Sequence, residues 1–397
     1  MNRRVAFSAL AVIGLLAACS GSGTSPRHPT ASPEPSTTVV RTGAPSTVSP
    51  SGSPSATPSG APTPTSSPLI LISVCDATCG GSASDEVLGF AVGALTPSKT
   101  ITSGLANPIA LGIDGANDLL VENCSISPCD AEPNEGSVGI YSPGAVTPRM
   151  TVTSGISVPD GLAVASDGTF AVSNCVLCET ETVAGRHRQS AGSVQDSVTV
   201  YSIGGAILAT ITSGIESPGI SLFGSADTLY VPNFDSNTVT IYPKNATAPT
   251  RTLAAGVSGP KALLIDASGT VYVANAIGND VETFPAGSTT ASRTIATDPG
   301  PTALAFGPGG VLYVATGSTS TSNGDVEVFV NFSFARRITD GVDIPVALAV
   351  DTAGDLFVAN QGSNSLTEYH ASALTPFATV PLRAAPTALA LTLSLSF

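Results

Sequence analysis

The stretch that decides the fold begins with Pro260-Lys261-Ala262-Leu263-Leu264-Ile265-Asp266 and turns at Ser268-Gly269. It continues as Val271-Tyr272-Val273-Ala274-Asn275 and Val281-Glu282-Thr283-Phe284, and a short fourth segment follows around Arg293-Thr294-Ile295. Alternating apolar residues separated by turn residues predict β-strands, and no part of the stretch has the period of an amphipathic helix. The stretch therefore predicts four short strands joined by tight turns.

The same unit recurs along the chain, and its two most constant positions are a proline before the first strand and an aromatic residue at the end of the third. The prolines are Pro108, Pro159, Pro218, Pro260, Pro301, Pro345 and Pro386. The aromatic residues are Phe90, Tyr141, Tyr201, Tyr242, Phe284, Phe329 and Tyr369. Four short strands in each unit of roughly 40–60 residues are typical of a β-propeller blade. We expect an all-β, seven-bladed β-propeller over residues 69–397.

The two ends of the repeat array complement each other. The first unit starts at a second strand, Leu69 to Val74, and has no first strand. The last segment, Pro386 to Leu391, supplies a first strand after which the chain ends. We expect this C-terminal strand to complete the first blade and close the ring, which removes two exposed sheet edges. An open solenoid is the structural alternative.

Two copies of the second strand, Leu229-Tyr230-Val231-Pro232-Asn233 and Leu312-Tyr313-Val314-Ala315-Thr316, resemble the repeats of the bacterial NHL and YVTN propeller families. The resemblance extends over essentially all of residues 69–397 and implies the propeller fold. It implies no single activity, because these propellers include binding proteins, lyases and lactonases. The absence of Trp argues against tryptophan-aspartate and quinone-dehydrogenase propellers.

The N-terminus has the features of an export signal. Arg3 and Arg4 precede an apolar stretch from Val5 to Leu16, which predicts a signal peptide over residues 1–18. Leu16-Ala17-Ala18-Cys19 resembles the bacterial lipobox, which implies that Cys19 is acylated, with palmitate among its acyl groups, and becomes the first residue of a membrane-anchored lipoprotein. The alternative is an ordinary signal peptide followed by a chance cysteine. Ser20 lacks the aspartate of inner-membrane retention, so an outer-membrane or cell-surface position is expected if the host has two membranes.

Residues 19–68 are expected to form a tether. Positions 20–68 contain 11 Pro, 13 Ser and 9 Thr among 49 residues. Such a composition cannot bury enough apolar surface to offset the entropy of ordering, so it predicts a disordered segment. A glycosylated stalk is the alternative.

Six cysteines lie in pairs directly after the second strands of three successive blades. They are Cys75 and Cys79, Cys124 and Cys129, and Cys175 and Cys178. Clustered cysteines in even number in an exported protein favour disulfides, here three local bridges that stiffen loops. Zinc bound by two neighbouring pairs and a redox-active Cys175–Cys178 pair are the alternatives.

Candidate ligand-binding residues come from positions near the propeller axis and from one long loop. The residues after the prolines include two charged ones, Asp160 and Lys261, which we expect to reach the axial opening, and His187 lies in the long loop after Cys178. Five blades end their second strand in asparagine: Asn123, Asn174, Asn233, Asn275 and Asn360. A ring of amides suits a metal or a sugar, whereas bonding of each amide to the backbone of its own turn is the structural alternative.

The predicted function is therefore a lipid-anchored, extracytoplasmic binding or scaffolding module. Its ligand, an unidentified protein, peptide or glycan, would contact the loops of the face that carries the prolines, and the protein would be a monomer with no cofactor. The formal charge of −14 argues against a nucleic-acid partner. The alternative is a metal-dependent lyase or lactonase that holds Ca²⁺ or Mg²⁺ at the axial rim; catalytic turnover is less favoured, because only His187 and His370 offer imidazoles in the repeats.

Overall fold

The computed structural model describes residues 69–75, 85–124, 136–175, 195–317 and 323–392. These residues form 28 strands in seven four-stranded antiparallel sheets arranged in a ring, which confirms the seven-bladed β-propeller. The helical structure in these ranges is a single 3₁₀ turn, Ser225–Asp227. Within the same ranges there is no helix with the length and apolar character needed to cross a bilayer.

The strands of blades 1 to 3 follow one another as a meander, apart from the strand that closes blade 1. Blade 1 consists of β1 (Leu69–Cys75), β2 (Glu86–Ala91), β3 (Lys99–Ile101) and the C-terminal β28 (Ala385–Leu391). Blade 2 consists of β4 (Pro108–Ile113), β5 (Leu119–Cys124), β6 (Gly136–Tyr141) and β7 (Met150–Val152). Blade 3 consists of β8 (Pro159–Val164), β9 (Phe170–Asn174), β10 (Ser197–Tyr201) and β11 (Ile207–Ile211).

Blades 4 to 7 repeat this order. Blade 4 consists of β12 (Leu222–Phe223), β13 (Leu229–Asn233), β14 (Thr238–Tyr242) and β15 (Arg251–Leu253). Blade 5 consists of β16 (Pro260–Ile265), β17 (Val271–Asn275), β18 (Asp280–Phe284) and β19 (Arg293–Ala296). Blade 6 consists of β20 (Pro301–Gly307), β21 (Val311–Thr316), β22 (Val326–Val330) and β23 (Ser333–Ile338). Blade 7 consists of β24 (Pro345–Val350), β25 (Leu356–Asn360), β26 (Ser365–Tyr369) and β27 (Ala378–Pro381).

The chain closes its own ring, as the sequence predicts. β28 pairs antiparallel with β1, from Ile70 opposite Leu391 to Cys75 opposite Ala385, with a register shift after Ser73. At the end of this pair the backbone N–H of Leu69 donates to Thr392 Oγ1 at 2.8 Å, and the N–H of Thr392 donates to the carbonyl of Leu69 at 3.0 Å. The innermost strand of blade 1 is thus supplied from the far end of the sequence.

The first strand of each blade lies nearest the axis, and these inner strands contact one another in succession around the ring except between blades 4 and 5, where β16 contacts β13. We call the face on which these strands begin the top face; it also carries the connections from second to third strands. Both surfaces of a blade are covered by its neighbours, which explains why β5, β9, β13, β17 and β25 are buried at every position.

The aromatic residue that ends each third strand fixes the loop that enters the blade. Four of the seven are tyrosines, and each hydroxyl donates to a backbone carbonyl of that loop: Tyr141 to Ser103 at 2.8 Å, Tyr201 to Ser154 at 2.9 Å, Tyr242 to Ser213 at 2.6 Å and Tyr369 to Asp340 at 2.6 Å. Burial raises the pKa of Tyr141 to about 12, so this hydroxyl stays a donor over the physiological range. The aromatic position therefore combines core packing with a fixed loop.

Blade 4 departs from the repeat at its inner strand. Pro218 makes only an isolated bridge to Asn233, and regular pairing resumes at Leu222, so residues 219–221 lie outside any strand. The cause is Pro232 on the neighbouring β13, which has no N–H to donate to the ladder. The wall of the axis is consequently irregular at this one blade.

The closing strand provides the first prediction. Leu389 on β28 lies opposite Ile72 and is 0% exposed, so Leu389→Ala should lower the free energy of unfolding by about 2–5 kcal/mol, the usual cost of a large cavity in a core. The control is Leu374→Ala in the turn before β27, where the side chain is 48% exposed and the change should stay within about 0.5 kcal/mol. Denaturant unfolding followed by circular dichroism measures both, and equal effects would contradict the closure.

Candidate functional site

Asp160 and Lys261 lie on inner strands at the top face, and the charge of Lys261 acts on Asp160. Each is the second residue of its strand, on β8 and β16, and each is half-buried. Burial raises the pKa of Asp160, and the positive charge of Lys261 partly offsets that rise. The equivalent position in the blade between them is Gly219, which places no side chain between the two charges.

A third ionisable group, Glu122 of blade 2, is close enough to Asp160 of blade 3 for the two charges to act on each other. It lies on β5 between Ala110 of β4 and Val138 of β6, and it is 0% exposed. Among the described residues, neither of its carboxylate oxygens has a hydrogen-bond partner. Burial raises the pKa of Glu122 well above its ordinary value, and the Asp160 carboxylate raises it further. The backbone N–H of Gly161 acts in the opposite direction and lowers the pKa of Glu122 in part.

Glu122 occupies a position that the other blades fill with small uncharged residues. The register places it directly before the asparagine position of the second strand, where the equivalents are Ser73, Ser173, Pro232, Ala274, Ala315 and Ala359. A buried carboxyl without a partner costs several kcal/mol, and the repeat does not require one here. We refer to Glu122, Asp160 and Lys261 as the axial charge cluster; sequence reasoning found the last two and missed Glu122.

The other residues after the prolines serve the scaffold. Thr302 Oγ1 donates to the carbonyl of Pro345 at 3.2 Å, and Thr387 Oγ1 donates to the carbonyl of Pro108 at 2.6 Å, in each case in the following blade. Ile109 and Val346 are buried. The charges are therefore confined to one side of the axial opening.

The five asparagines do not point free amides at the axis. In every case Oδ1 accepts a backbone N–H from the residue 17 positions earlier, in the loop that enters the same blade: Asn123 from Ala106, Asn174 from Ser157, Asn233 from Glu216, Asn275 from Ser258 and Asn360 from Asp343. Each Nδ2 also donates, for example Asn275 to Gly256 O at 2.8 Å and to Asp280 Oδ1 at 2.6 Å. The asparagine side chains therefore bond to the backbone, as the structural alternative to a ligand-binding ring supposed. Their backbone partners lie in the loop that enters the blade, however, and not in the turn that follows the strand. Ligand binding would require these bonds to break.

The cysteine predictions fall largely outside the described residues. Cys75 Sγ donates a hydrogen bond to Asn107 Oδ1 at 3.0 Å. Cys124 and Cys175 are buried at the ends of second strands. Their predicted partners Cys129 and Cys178, together with Cys79 and His187, lie outside the described residues, so the three local bridges and a role for His187 stay predictions. Cys19 and the whole of residues 1–68 lie outside them as well.

The chemistry available at the axis is charge recognition. Within the described ranges, no group of three or more His, Cys, Asp or Glu side chains is arranged to hold a metal ion. The cluster offers two carboxylates and one ammonium, which can bind a charged group and share a proton. A separate open depression of about 310 Å³ lies on blade 7, between Asp343 and Pro381, and contains none of the predicted site residues.

Because the asparagine side chains hold the entering loops, replacing one of them should lower the stability of the protein and leave any binding of Ca²⁺ or Mg²⁺ unchanged. Asn275→Ala should lower the free energy of unfolding by about 1–3 kcal/mol, because it leaves two partly buried backbone groups, Ser258 N–H and Gly256 C=O, without this partner. Asn275→Thr should restore part of the loss, since blade 6 has Thr316 at this register with its hydroxyl 2.9 Å from Asp325 Oδ1. Calorimetric titration with Ca²⁺ or Mg²⁺ should give the same heats for both variants and the parent; stoichiometric binding that Asn275→Ala abolishes would favour the enzyme alternative.

Glu122 predicts a pH-dependent stability difference. An acid whose pKa is raised on folding destabilises the native state as pH rises from its unfolded pKa, about 4.3, through its folded pKa, and the loss is about 1.4 kcal/mol for each pH unit that separates the two values. Glu122→Gln removes this loss, so the melting temperature of the variant should rise relative to the parent between pH 4 and pH 8. The groups that face Glu122 are Asp160 and, at longer range, Tyr201, and both remain in the variant.

Glu216→Gln, at an exposed position of the top face, is the control for this pH series and should give a curve parallel to that of the parent. Parallel curves for Glu122→Gln as well would mean that the buried carboxyl does not titrate with folding.

Comparisons with known proteins add no family to this geometry. No protein-family model matches the chain, and a search of curated proteins finds no match either. The β-propeller is therefore established by the structure. The resemblance to the NHL and YVTN families rests on the residues of the second strands alone.

Proposed function

We propose that this protein is a lipid-anchored, extracytoplasmic binding or scaffolding module that receives its ligand on the top face. The observation that carries the proposal is the break in symmetry at the axis. Six of seven blades place a small uncharged residue at the register of Glu122, and the charge of Asp160, one of the two charged residues that follow the inner prolines, acts on Glu122. Residues that break a repeat are not explained by the repeat, and an ionisable group whose pKa is strongly perturbed is a candidate for a functional site.

The anchoring part of the proposal rests on the sequence. Residues 1–18 have the pattern of a lipoprotein signal peptide, Cys19 is the acylated residue, and residues 19–68 connect it to the propeller. The same part of the proposal includes membership of the NHL or YVTN type and the local bridges Cys75–Cys79, Cys124–Cys129 and Cys175–Cys178, which would form in an oxidising compartment.

Binding is favoured over catalytic turnover by the way the polar groups near the axis are used. The amides that a metal-dependent lyase or lactonase would need are engaged in the bonds that hold the entering loops. His370 lies in the turn after β26 on the opposite face, where it stacks on Phe377 at 3.9 Å. The axial charge cluster can recognise a ligand without these groups.

Face-selective photo-crosslinking on intact cells tests the proposal. Ile277 lies between β17 and β18 on the top face and is 59% exposed. A photo-reactive residue in its place should give a defined adduct with the bound ligand. The matched position is Leu374, 48% exposed on the opposite face, which should give none.

Cys19→Ser should move the protein from the membrane fraction to the soluble fraction. Adducts that form equally at both positions, or only at Leu374, would contradict the top face as the binding surface. Retention of the Cys19→Ser variant in the membrane fraction would contradict lipid anchoring at Cys19. It would not affect the conclusion about the top face, which depends on the crosslinking result alone.

A further inference from the structure

We propose that the propeller docks on the lipid surface of its own membrane through an apolar arc at the outer edge of the face opposite the top face, here called the bottom face. The apolar arc consists of one exposed side chain in each of blades 6, 7, 1, 2 and 3: Phe334, Leu374, Leu95, Val146 and Ile207. The inference rests on the proposed lipid anchor at Cys19 and adds an orientation that the anchor alone does not give.

The exposed apolar side chains are concentrated at one place in the repeat. Nine large apolar side chains are exposed in the described residues, and eight of them lie in a connection from a third to a fourth strand or within two residues of one. The ninth, Ile277, lies on the top face. The fourth strand is the outermost of each sheet, so these connections form the outer edge of the bottom face.

The five blades of the apolar arc are consecutive in the ring, because β28 joins blade 7 to blade 1. The connections of neighbouring blades also approach one another. A Cβ placed on Gly93 of blade 1 would lie 3.7 Å from Phe377 of blade 7, and a Cβ on Gly205 of blade 3 would lie 3.1 Å from Met150 of blade 2. A run of apolar side chains along one edge differs from the single apolar residues that are scattered over most protein surfaces.

The turn that carries these residues does not require them to be apolar. Leu95, Val146 and Leu374 each follow the aromatic residue of their blade by five positions, where blades 4 and 5 have the exposed Thr247 and Thr289. In all five blades the N–H of the preceding residue donates to the carbonyl three residues before it, at 2.8–2.9 Å. An exposed threonine therefore fits the same turn, and the apolar side chains of blades 7, 1 and 2 expose surface to water that the fold does not need.

Acidic residues are absent from this edge, although the chain contains 29 of them. The seven fourth strands contain no Asp or Glu, and neither do the connections that lead to them, residues 92–98, 142–149, 202–206, 243–250, 285–292, 331–332 and 370–377. The same segments contain seven of the nine basic residues that the structure describes. An edge with exposed apolar side chains, basic residues and no carboxylate suits the headgroup region of a bilayer.

The acids of the bottom face lie nearer the axis, in the turns between first and second strands. Asp118 and Asp227 of these turns pair with Arg149 and Lys244 of the edge, at 2.7 Å and 2.6 Å. Asp266 accepts the backbone N–H of Thr270 in its own turn at 2.9 Å. These contacts leave the outer edge, and not the centre of the bottom face, as the part that can approach lipid.

The position of Leu69 points to the membrane as the partner. β1 is a second strand, so it begins on the bottom face, and the chain from Cys19 enters the propeller there. Blade 1 is the central blade of the apolar arc. The 49 residues at positions 20–68 connect it to the proposed anchor, which keeps lipid at a high effective concentration near this edge. With the apolar arc on the lipid, the top face points away from the membrane, where a ligand can reach it.

Tryptophan fluorescence tests the docking, because the chain contains no Trp of its own. Leu95 on the apolar arc is 62% exposed and Ile277 on the top face is 59% exposed, so Leu95→Trp and Ile277→Trp are matched variants with a single reporter each. The full-length lipidated protein is reconstituted into phosphatidylcholine vesicles with or without dibrominated acyl chains, which quench tryptophan on contact. Leu95→Trp should lose about half of its emission in the brominated vesicles, and Ile277→Trp should lose less than about a tenth.

Removal of the neighbouring apolar side chains should release the reporter. In the Leu95→Trp background, Val146→Thr together with Leu374→Thr introduces the residue that blades 4 and 5 have, and should reduce the quenching about twofold or more. Ile277→Thr in the same background removes an exposed apolar side chain from the top face and should leave the quenching unchanged. The melting temperatures of these variants should agree, because threonine fits the same turn.

Equal quenching of Leu95→Trp and Ile277→Trp, in protein that floats with the vesicles, would overturn the docking and leave the lipid anchor standing. Protein that does not float with the vesicles would reject the anchor and the docking with it. A blue shift of the Leu95→Trp emission that grows with protein concentration in detergent, without quenching by brominated lipid, would assign the apolar arc to a second copy of the chain and would also overturn the docking.

The docking predicts a different adduct at Leu374 from the one expected on the top face. A photo-reactive residue at Leu374 should label phospholipid and not the ligand, and the mass of the adduct distinguishes the two. A ligand adduct from Ile277 with no lipid label at Leu374 would reject the docking and leave the binding function standing. Lipid labelling at Leu374 without a ligand adduct from Ile277 would support the docking and reject the binding function.

Discussion

The structure depends on the pairing of β28 with β1. A single blade has apolar residues on both of its surfaces and cannot bury them alone, so each blade needs a neighbour on each side. A linear array would leave two such surfaces exposed at its ends. Pairing of the last strand with the first unit joins blade 7 to blade 1 and gives every blade two neighbours, so that burial becomes uniform around the ring.

The repeated polar residues hold the loops in place on this ring. The asparagine at the end of the second strand and the tyrosine at the end of the third both bond to the loop that enters their own blade. These two contacts fix where the next inner strand begins, and hence where the residue after its proline lies. The position of Asp160 follows from both loop contacts, whereas blade 5 has Phe284 in place of the tyrosine, so the position of Lys261 follows from the Asn275 contact alone.

Much of the architecture could be predicted from the sequence because each blade repeats the same local signals. The prolines, the aromatic residues and the missing first strand of the opening unit gave the number of blades and the closure. The partner of the asparagines was predicted less well, since a turn that follows the strand and a loop 17 residues earlier are equally compatible with the pattern. The break at residues 219–221 follows from Pro232, whose effect appears only when the strand beside it is known.

Glu122 shows why a candidate site residue can be missed in a repeat sequence. A glutamate in a strand is expected to be exposed until the register shows that its side chain faces the next blade. Only the alignment of Glu122 with Ser173 and Ala274 in the paired strands shows that its blade differs from the others. The residues that recur in most blades explain the fold. The functional hypothesis comes from Glu122, which occurs in one blade only among the equivalent positions.

Native-state hydrogen exchange of the β1 and β28 amides tests the closure most directly. If the ring is held by this pair, these amides should exchange only through global unfolding, with the same free energy as the central strands of blades 4 and 5. Exchange of the β28 amides at a much lower free energy, with the other blades still protected, would show that the propeller stands without its closing strand and would contradict the account.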